Sequence, residues 1–394
     1  MKWYFVIPWY GTSIPGGAEA ECRGVVTHLR RSGIEVEVLT TTIKDFMSDW
    51  SHNFYEPGTY DEEEVPVHRF AVQSTHRDIF GYINDRLLNK WKIRPEEETY
   101  FFNEMLRSDD LFRFIERNDT LDIFIFIPYL FTTTIKGIMI HPDRSLILPC
   151  LHDEPYAYLA PTRRAFEACS GALFNVEEEK ALANRLYRLP TDRLQVVGIG
   201  LDTTLVGDAE RFRETYQISE PFILYAGRKD DGKNTPLLIR YFNRFIQRHG
   251  TSLKLVLIGN GQVSVPDSLQ GRVIDLGFVP VQDKIDAYKA ATLFCQPSVN
   301  ESFSLVIMEA WLQQTPVLVN ADCPVTRGHC NRSNGGLYFA NYPEFEEILT
   351  LLLENAPLRN RLAEAGQRYV LENYQWNVIV ERYKQTIHAL FGEI

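Results

Sequence analysis

The sequence predicts an α/β protein of two doubly wound units, and three observations carry that prediction. Short apolar runs alternate with helix-period segments along the whole chain, the pattern of a parallel sheet covered by helices. The alternation restarts once, past a stretch near 200–210. A chain of 394 residues with 45% hydrophobic content also has enough apolar side chains for two full cores.

In the first half WYFVI (3–7), EVEVLT (35–40), DIFIFI (122–127), SLILPCL (145–151) and GALFNV (171–176) are expected strands, each a brief apolar run. Residues 17–32 and 177–187 have helical patterns, and FRFIERNDT (112–120) reads as a helix end feeding the strand at 122. Residues 45–70 are turn-rich, with PGTYDEEE (57–64) expected as an exposed loop. The second series has strands at PFILYAG (221–227), LKLVLIG (253–259), VIDLG (273–277), LFCQPS (293–298) and PVLVN (316–320), with helices over 235–249, 283–291 and 303–314. The tail from Glu344 is helical by periodicity. Its last segment carries Trp376, Ile379, Tyr383, Ile387 and Leu390 at spacings of three and four, a stripe that needs a surface to cover. A crossing back to the first unit would supply one and tie the halves together.

The net charge of −11 and a pI near 5.4 argue against a nucleic-acid binder, which carries a basic footprint. Two local basic stretches, NDRLLNKWKIR (84–94) and TRRAF (162–166), read either as solvated helix faces or as a patch resting on an anionic membrane surface. The six cysteines show no metal-ligand spacing and are expected to be buried or free thiols in a reducing compartment. MKWYFVIPWYG reads as a first strand and not a secretory signal, and no run is long enough to span a bilayer. A cytoplasmic protein, with peripheral membrane contact allowed and oligomeric state open, is the expectation.

The chemistry concentrates in three loops. In NESFSLVIMEAWLQQTPVLVN (300–320) Glu309 interrupts an apolar stretch, and Glu301 stands eight positions earlier. A helix entered from a strand's carboxyl end points unpaired N–H groups at an anion. Two carboxylates about 12 Å apart along such a helix could grip hydroxyls on either side of a bound diphosphate. Pairing of Glu309 with a Lys or Arg is the competing reading. In YAGRKDDGKN (225–234), Arg228 and Lys233 flank an Asp-Gly turn, close enough for both to meet one diphosphate; a surface salt-bridge turn is the alternative. In PGGAE (15–19), Gly16 and Gly17 permit close backbone approach ahead of a helix, without the spacing of a dinucleotide fingerprint.

Taken together, PGGAE, GRKDDGKN and ESFSLVIMEAWLQQTPVLVN resemble the retaining glycosyltransferases of the GT4 family, most strongly over 220–320, with order and spacing extending the likeness through VVGIGLD (196–202) and YQWN (374–377). The resemblance implies a GT-B architecture of two Rossmann-like domains facing a central cleft: an acceptor-side domain over 1–205, a nucleotide-sugar domain over 206–375, and a C-terminal helix, 376–394, crossing back to the first domain. It implies that Arg228 and Lys233 contact the donor diphosphate, Glu301 the hydroxyls of the transferred sugar and Glu309 those of the ribose. The amides of Phe303, Ser304 and Leu305 would complete the phosphate cradle, with Gly16 and Gly17 on the first domain's side. His152, in LPCLHDEPY, would lie near the transferred sugar; a structural loop histidine is its rival.

The implied activity is retaining, metal-independent transfer of a hexose, of the UDP-glucose type by family frequency, to a glycan or lipid-linked acceptor in polysaccharide biosynthesis. No cofactor or metal is expected; Cys323 and Cys330 lack companions for a zinc site. The partners are a nucleotide sugar and the acceptor. Rivals are a nucleotide-sugar-binding protein without turnover and a GT-B phosphorylase or epimerase. Two departures stand out: Gln313 and Gln314 replace a small residue and Gly before the strand at 316, and ADCPVTRGHCNRSNGG (321–336) is longer and more polar than the family's connection. Aromatic residues of the first half, among them Trp3, Trp9, Tyr10, Trp50, Tyr82, Trp91 and Tyr158, suit either core packing or stacking on a carbohydrate.

Overall fold

Each apolar run near the start of a half becomes a central strand because both of its faces are covered. In the computed structural model, which describes residues 1–12, 14, 16–118 and 121–392, the chain divides into two units, Met1–Gly200 with Ile379–Ile394 and Leu201–Val378. The helix Trp376–Phe391 therefore starts in the second unit and continues in the first. Of the motifs read from sequence, Pro15, Asp119 and Thr120 lie outside the described residues, as do the last two residues of the final segment.

The first unit holds β1 (Trp3–Val6), β2 (Val36–Thr41), β3 (Gly58–Glu62), β4 (Val65–Phe70), β5 (Ile123–Phe126), β6 (Ser145–Ile147), β7 (Gly171–Phe174) and β8 (Leu194–Val196). Their order is β3-β4-β2-β1-β5-β6-β7-β8, parallel except that β3 runs antiparallel to β4. All residues of β1 and β5 are buried, which is why they read as unbroken apolar runs. The expectation of a loop at PGTYDEEE is corrected: Gly58–Glu62 is a strand, turned back by Glu63 and Glu64 at φ 52° and 71°. Two successive positive φ values make a hairpin turn whose twist matches its strands. The strand escaped notice because nearly all of it is solvent-exposed, so no apolar alternation marks it.

The second unit holds β9 (Phe222–Ala226), β10 (Lys254–Ile258), β11 (Val273–Gly277), β12 (Leu293–Gln296), β13 (Val317–Asn320) and β14 (Gly336–Phe339), in the all-parallel order β11-β10-β9-β12-β13-β14. The polar connection over 321–336 is largely the helix Pro324–Ser333, leading into β14. Its apolar content is low, yet His329, Cys330 and Thr326 are buried. Trp311 anchors this half. It is fully buried, donates to the Gly335 carbonyl at 2.8 Å, and leaves no room for a Cβ at Gly366, which would lie 2.1 Å from its ring.

In both sheets the chain winds outward from a first strand, β1 or β9, to opposite sides. Loops at the carboxyl ends of the two strands flanking such a reversal diverge and leave a crevice, where ligands of open α/β sheets bind.

Candidate functional site

In the second unit the reversal lies between β9 and β12, and the two loops read as chemistry-bearing leave those two strands. The loop after β9 is drawn tight: Gly227 is at φ 150°, and a Cβ on Gly259 would fall 2.1 Å from its carbonyl oxygen. Asn234 caps this loop at φ 56° and donates from Nδ2 to the Pro297 carbonyl, 3.1 Å, which Asn320 Nδ2 also reaches at 3.1 Å. Two amides from different elements thus pin the start of the loop after β12.

Lys233 Nζ and Glu301 Oε1 meet at 2.7 Å, and Gln296 Nε2 donates to the same oxygen at 2.8 Å. Arg228 sits in the same loop as Lys233 but is mostly exposed, its Nε 3.4 Å from Asp230. The two cations therefore pair with different carboxylates. Lys229, between them, was not singled out from sequence: it is buried and bound to Asp275 of β11 at 2.5 Å. Nothing in RKDDGK tells which cation turns inward, because Asp275 is distant in sequence.

The helix after β12 spans Leu305–Leu312, so Glu301 stands on the loop before it and not on the helix, correcting the picture of two carboxylates on one helix. Phe303 is buried and edge-on to His329 and Tyr374, which fixes the loop backbone. Ser304 is the N-cap residue at φ 71°; its Oγ is buried with no hydrogen-bond partner among the described residues. With Leu305 it presents the helix's first N–H groups. Glu309, one turn further, accepts from Lys284 Nζ at 2.8 Å and from Tyr288 OH at 2.9 Å. The Lys-pairing alternative is thus realised, with about a fifth of the side chain still exposed. Burial, reinforced by Glu309, raises the Tyr288 hydroxyl well above its usual range and keeps it a donor.

The remaining candidates belong to the first unit. Gly16, at φ 140°, opens the helix Gly17–Arg31, and a Cβ there would collide with Glu19, whose Oε1 accepts from Trp9 Nε1 at 2.5 Å. A Cβ on Gly17 would meet nothing within 4 Å. His152 follows β6, partly exposed, with Nδ1 3.8 Å from Glu154 Oε1. Burial opposes ionisation of Glu154, but the nearby His152 and the hydrogen bond from Tyr129 OH at 2.8 Å outweigh it and hold the carboxyl below its usual range. All six thiols are free, five of them buried. Among the described residues no helix is long and apolar enough to cross a membrane.

Residues 208–369 match the family model described as glycosyl transferases group 1. Over 420 aligned positions the chain is 22% identical to an uncharacterized glycosyltransferase of Methanocaldococcus jannaschii, covering 98% of this chain and 96% of that one. Among solved structures, the Anabaena protein HepE in complex with UDP and glucose superposes with a TM-score of 0.67 at 16% identity, covering 98% of this chain and 99% of that one. An E. coli trehalose-6-phosphate protein bound with UDP-2-fluoro glucose gives a TM-score of 0.74 at 11% identity over the whole of both chains. The two wound sheets are those of the GT-B class, and the likeness to glycosyl transferases group 1 lies in the second unit, over residues 208–369.

Proposed function

We propose that this chain is a glycosyltransferase moving a hexose, of the glucose type, from a uridine diphosphate sugar to a hydroxyl of a glycan or lipid-linked acceptor, with retention and without a metal. The observation that carries the reading is the meeting of Lys233 and Glu301 beside the start of the helix Leu305–Leu312. A cation, a carboxylate and a helix N-terminus on adjoining loops suit a ligand with a diphosphate next to a polyol. The complexes of HepE with UDP and glucose support the choice of donor.

In this mechanism the bond from the anomeric carbon to the diphosphate oxygen breaks while the acceptor oxygen bonds to that carbon on the same face. Lys233, Arg228 and the amides at Phe303–Leu305 stabilise the charge growing on the leaving group, the role a metal fills elsewhere. Glu301 orients the sugar through its hydroxyls, and Glu309 holds the ribose. The acceptor proton passes to the departing phosphate oxygen, so no separate protein base is required. His152 stands beside the transferred sugar.

A thermal-shift screen against UDP, GDP, ADP and their sugars tests the donor, because a ligand bound by the folded state alone raises the melting temperature. UDP and UDP-glucose are expected to give the largest shifts, and UDP release in EDTA with an α-linked product by NMR is expected from UDP-glucose. Shifts without product from any acceptor would favour the binding-protein alternative. A narrower part of the reading is peripheral membrane contact: Tyr82, Leu88 and Trp91 are exposed beside Lys90 and Lys92. Sedimentation with phosphatidylglycerol vesicles and not with phosphatidylcholine is expected, and equal recovery in both supernatants counts against it.

A further inference from the structure

The chain leaves β6 through Leu148, Pro149, Cys150, Leu151 and His152, and Cys150 is at φ 52°. That left-handed conformation costs an L side chain about 1–2 kcal/mol, so something must hold it. Two buried carboxyl groups from two other elements do. Glu179, on the helix Glu177–Tyr187, accepts the Leu151 N–H on Oε1 at 2.6 Å and the Asn175 N–H on Oε2 at 2.7 Å. Glu21, on the helix Gly17–Arg31, accepts the Cys150 thiol at 3.5 Å and Asn175 Nδ2 at 3.0 Å. Both are only 2% exposed, and Glu21 Oε1 has no hydrogen-bond partner among the described residues.

Two carboxyls in one dry pocket are an expensive way to satisfy a few donors. What they share is the segment they hold: Cys150 and Leu151 immediately precede His152. We infer that Glu179, backed by Glu21, is a positioning residue that pins this strained turn and so aims the His152 imidazole. The inference rests on the reading of His152 as the group beside the transferred sugar. Glu179 offers one oxygen to each of two N–H groups; a glutamine there would turn its own NH2 toward one of them. Glu154 Oε1 lies 3.8 Å from the ring's Nδ1.

The test uses the full chain, with UDP-glucose as probe and UDP release as readout, in wild type, Glu179→Gln, His152→Ala and the double variant, with amide exchange at Leu151 measured alongside. Glu179→Gln is expected to lower turnover about tenfold, leave KM for UDP-glucose within about twofold and speed Leu151 exchange about tenfold. In the His152→Ala background the same change should cost less than about twofold, since residues acting as a unit are not additive. Independent, multiplying losses overturn the inference, as does wild-type turnover in Glu179→Gln. Wild-type turnover in His152→Ala also overturns it, and if Leu151 exchange is still accelerated in Glu179→Gln the fault lies with the role given to His152 and not with the tether. A wild-type protein that releases no UDP overturns the donor reading and this inference with it. Should Glu179→Gln not fold, Cys150→Gly decides: glycine takes the positive φ freely, so the melting temperature should hold while turnover falls about fivefold; unchanged turnover defeats the proposal.

Discussion

Lys233 and Glu301 neutralise each other at 2.7 Å, and that contact sets what a substitution does. In Lys233→Ala the carboxylate keeps Gln296 alone, and the proposed diphosphate loses a cation. Turnover is expected to fall about 100-fold, the scale for losing a donor that stabilises transition-state charge, with a smaller change in KM. Steady-state UDP release checks this, and a change confined to KM would assign Lys233 to ground-state binding instead. Arg228 is exposed and set on Asp230. The residue types of this loop were legible in sequence; their division of labour was not, because Lys229 finds its carboxylate on β11.

Gln313 shows how an apparent departure from a family pattern acquires a job. It is buried at the end of the helix Leu305–Leu312, where its Oε1 accepts the Gly207 N–H at 2.8 Å and its Nε2 donates to the Leu205 carbonyl at 2.9 Å. One side chain thereby fastens the segment entering the second unit onto the helix that bears Glu309. Gln313→Ala leaves two backbone groups without partners and is expected to cost about 2 kcal/mol, read from urea denaturation; a loss below about 0.5 kcal/mol would mean that water replaces both bonds. The helix Thr235–His249 was legible in its full length, since its apolar stripe and Gly250 at φ 59° mark face and end. The helix Pro324–Ser333 was not, because its buried face, Val325 aside, is made of Thr326, His329, Cys330 and Ser333.

The molecule repeats one winding rule in two units of unrelated sequence, and each unit carries its own electrostatic cost. In the first, burial lifts Glu21 to about 8, helped by the charge of Glu179, and lifts Glu179 to about 7. Cys150, Cys22 and Tyr383 face Glu21 as well, all raised chiefly by burial and therefore neutral in this range. The N–H bonds from Asn175 and Leu151 act on Glu179 in the opposite sense, and His152 adds to them. Since both folded values lie above the ordinary carboxyl value of 4.5, the stability they contribute is full below about 4.5 and is lost as pH rises through about 7 to 8. Wild-type melting temperature is expected to fall between pH 5 and pH 9 and Glu21→Gln to flatten that fall; parallel curves for the two proteins would show that Glu21 does not titrate there.

Sequence alone determined the wound α/β class, the division into two halves and the loops that carry Arg228, Lys233, Glu301 and Glu309, because buried parallel strands must be apolar and the loops between them must be polar. Only the tertiary structure decided which charges meet. A carboxylate's partner is chosen by the strand order that brings distant loops together, as β9 brings Lys233 to Glu301 and β6 brings Leu151 to Glu179. Pattern along a chain records burial, whereas pairing depends on positions that the chain's own order does not encode locally.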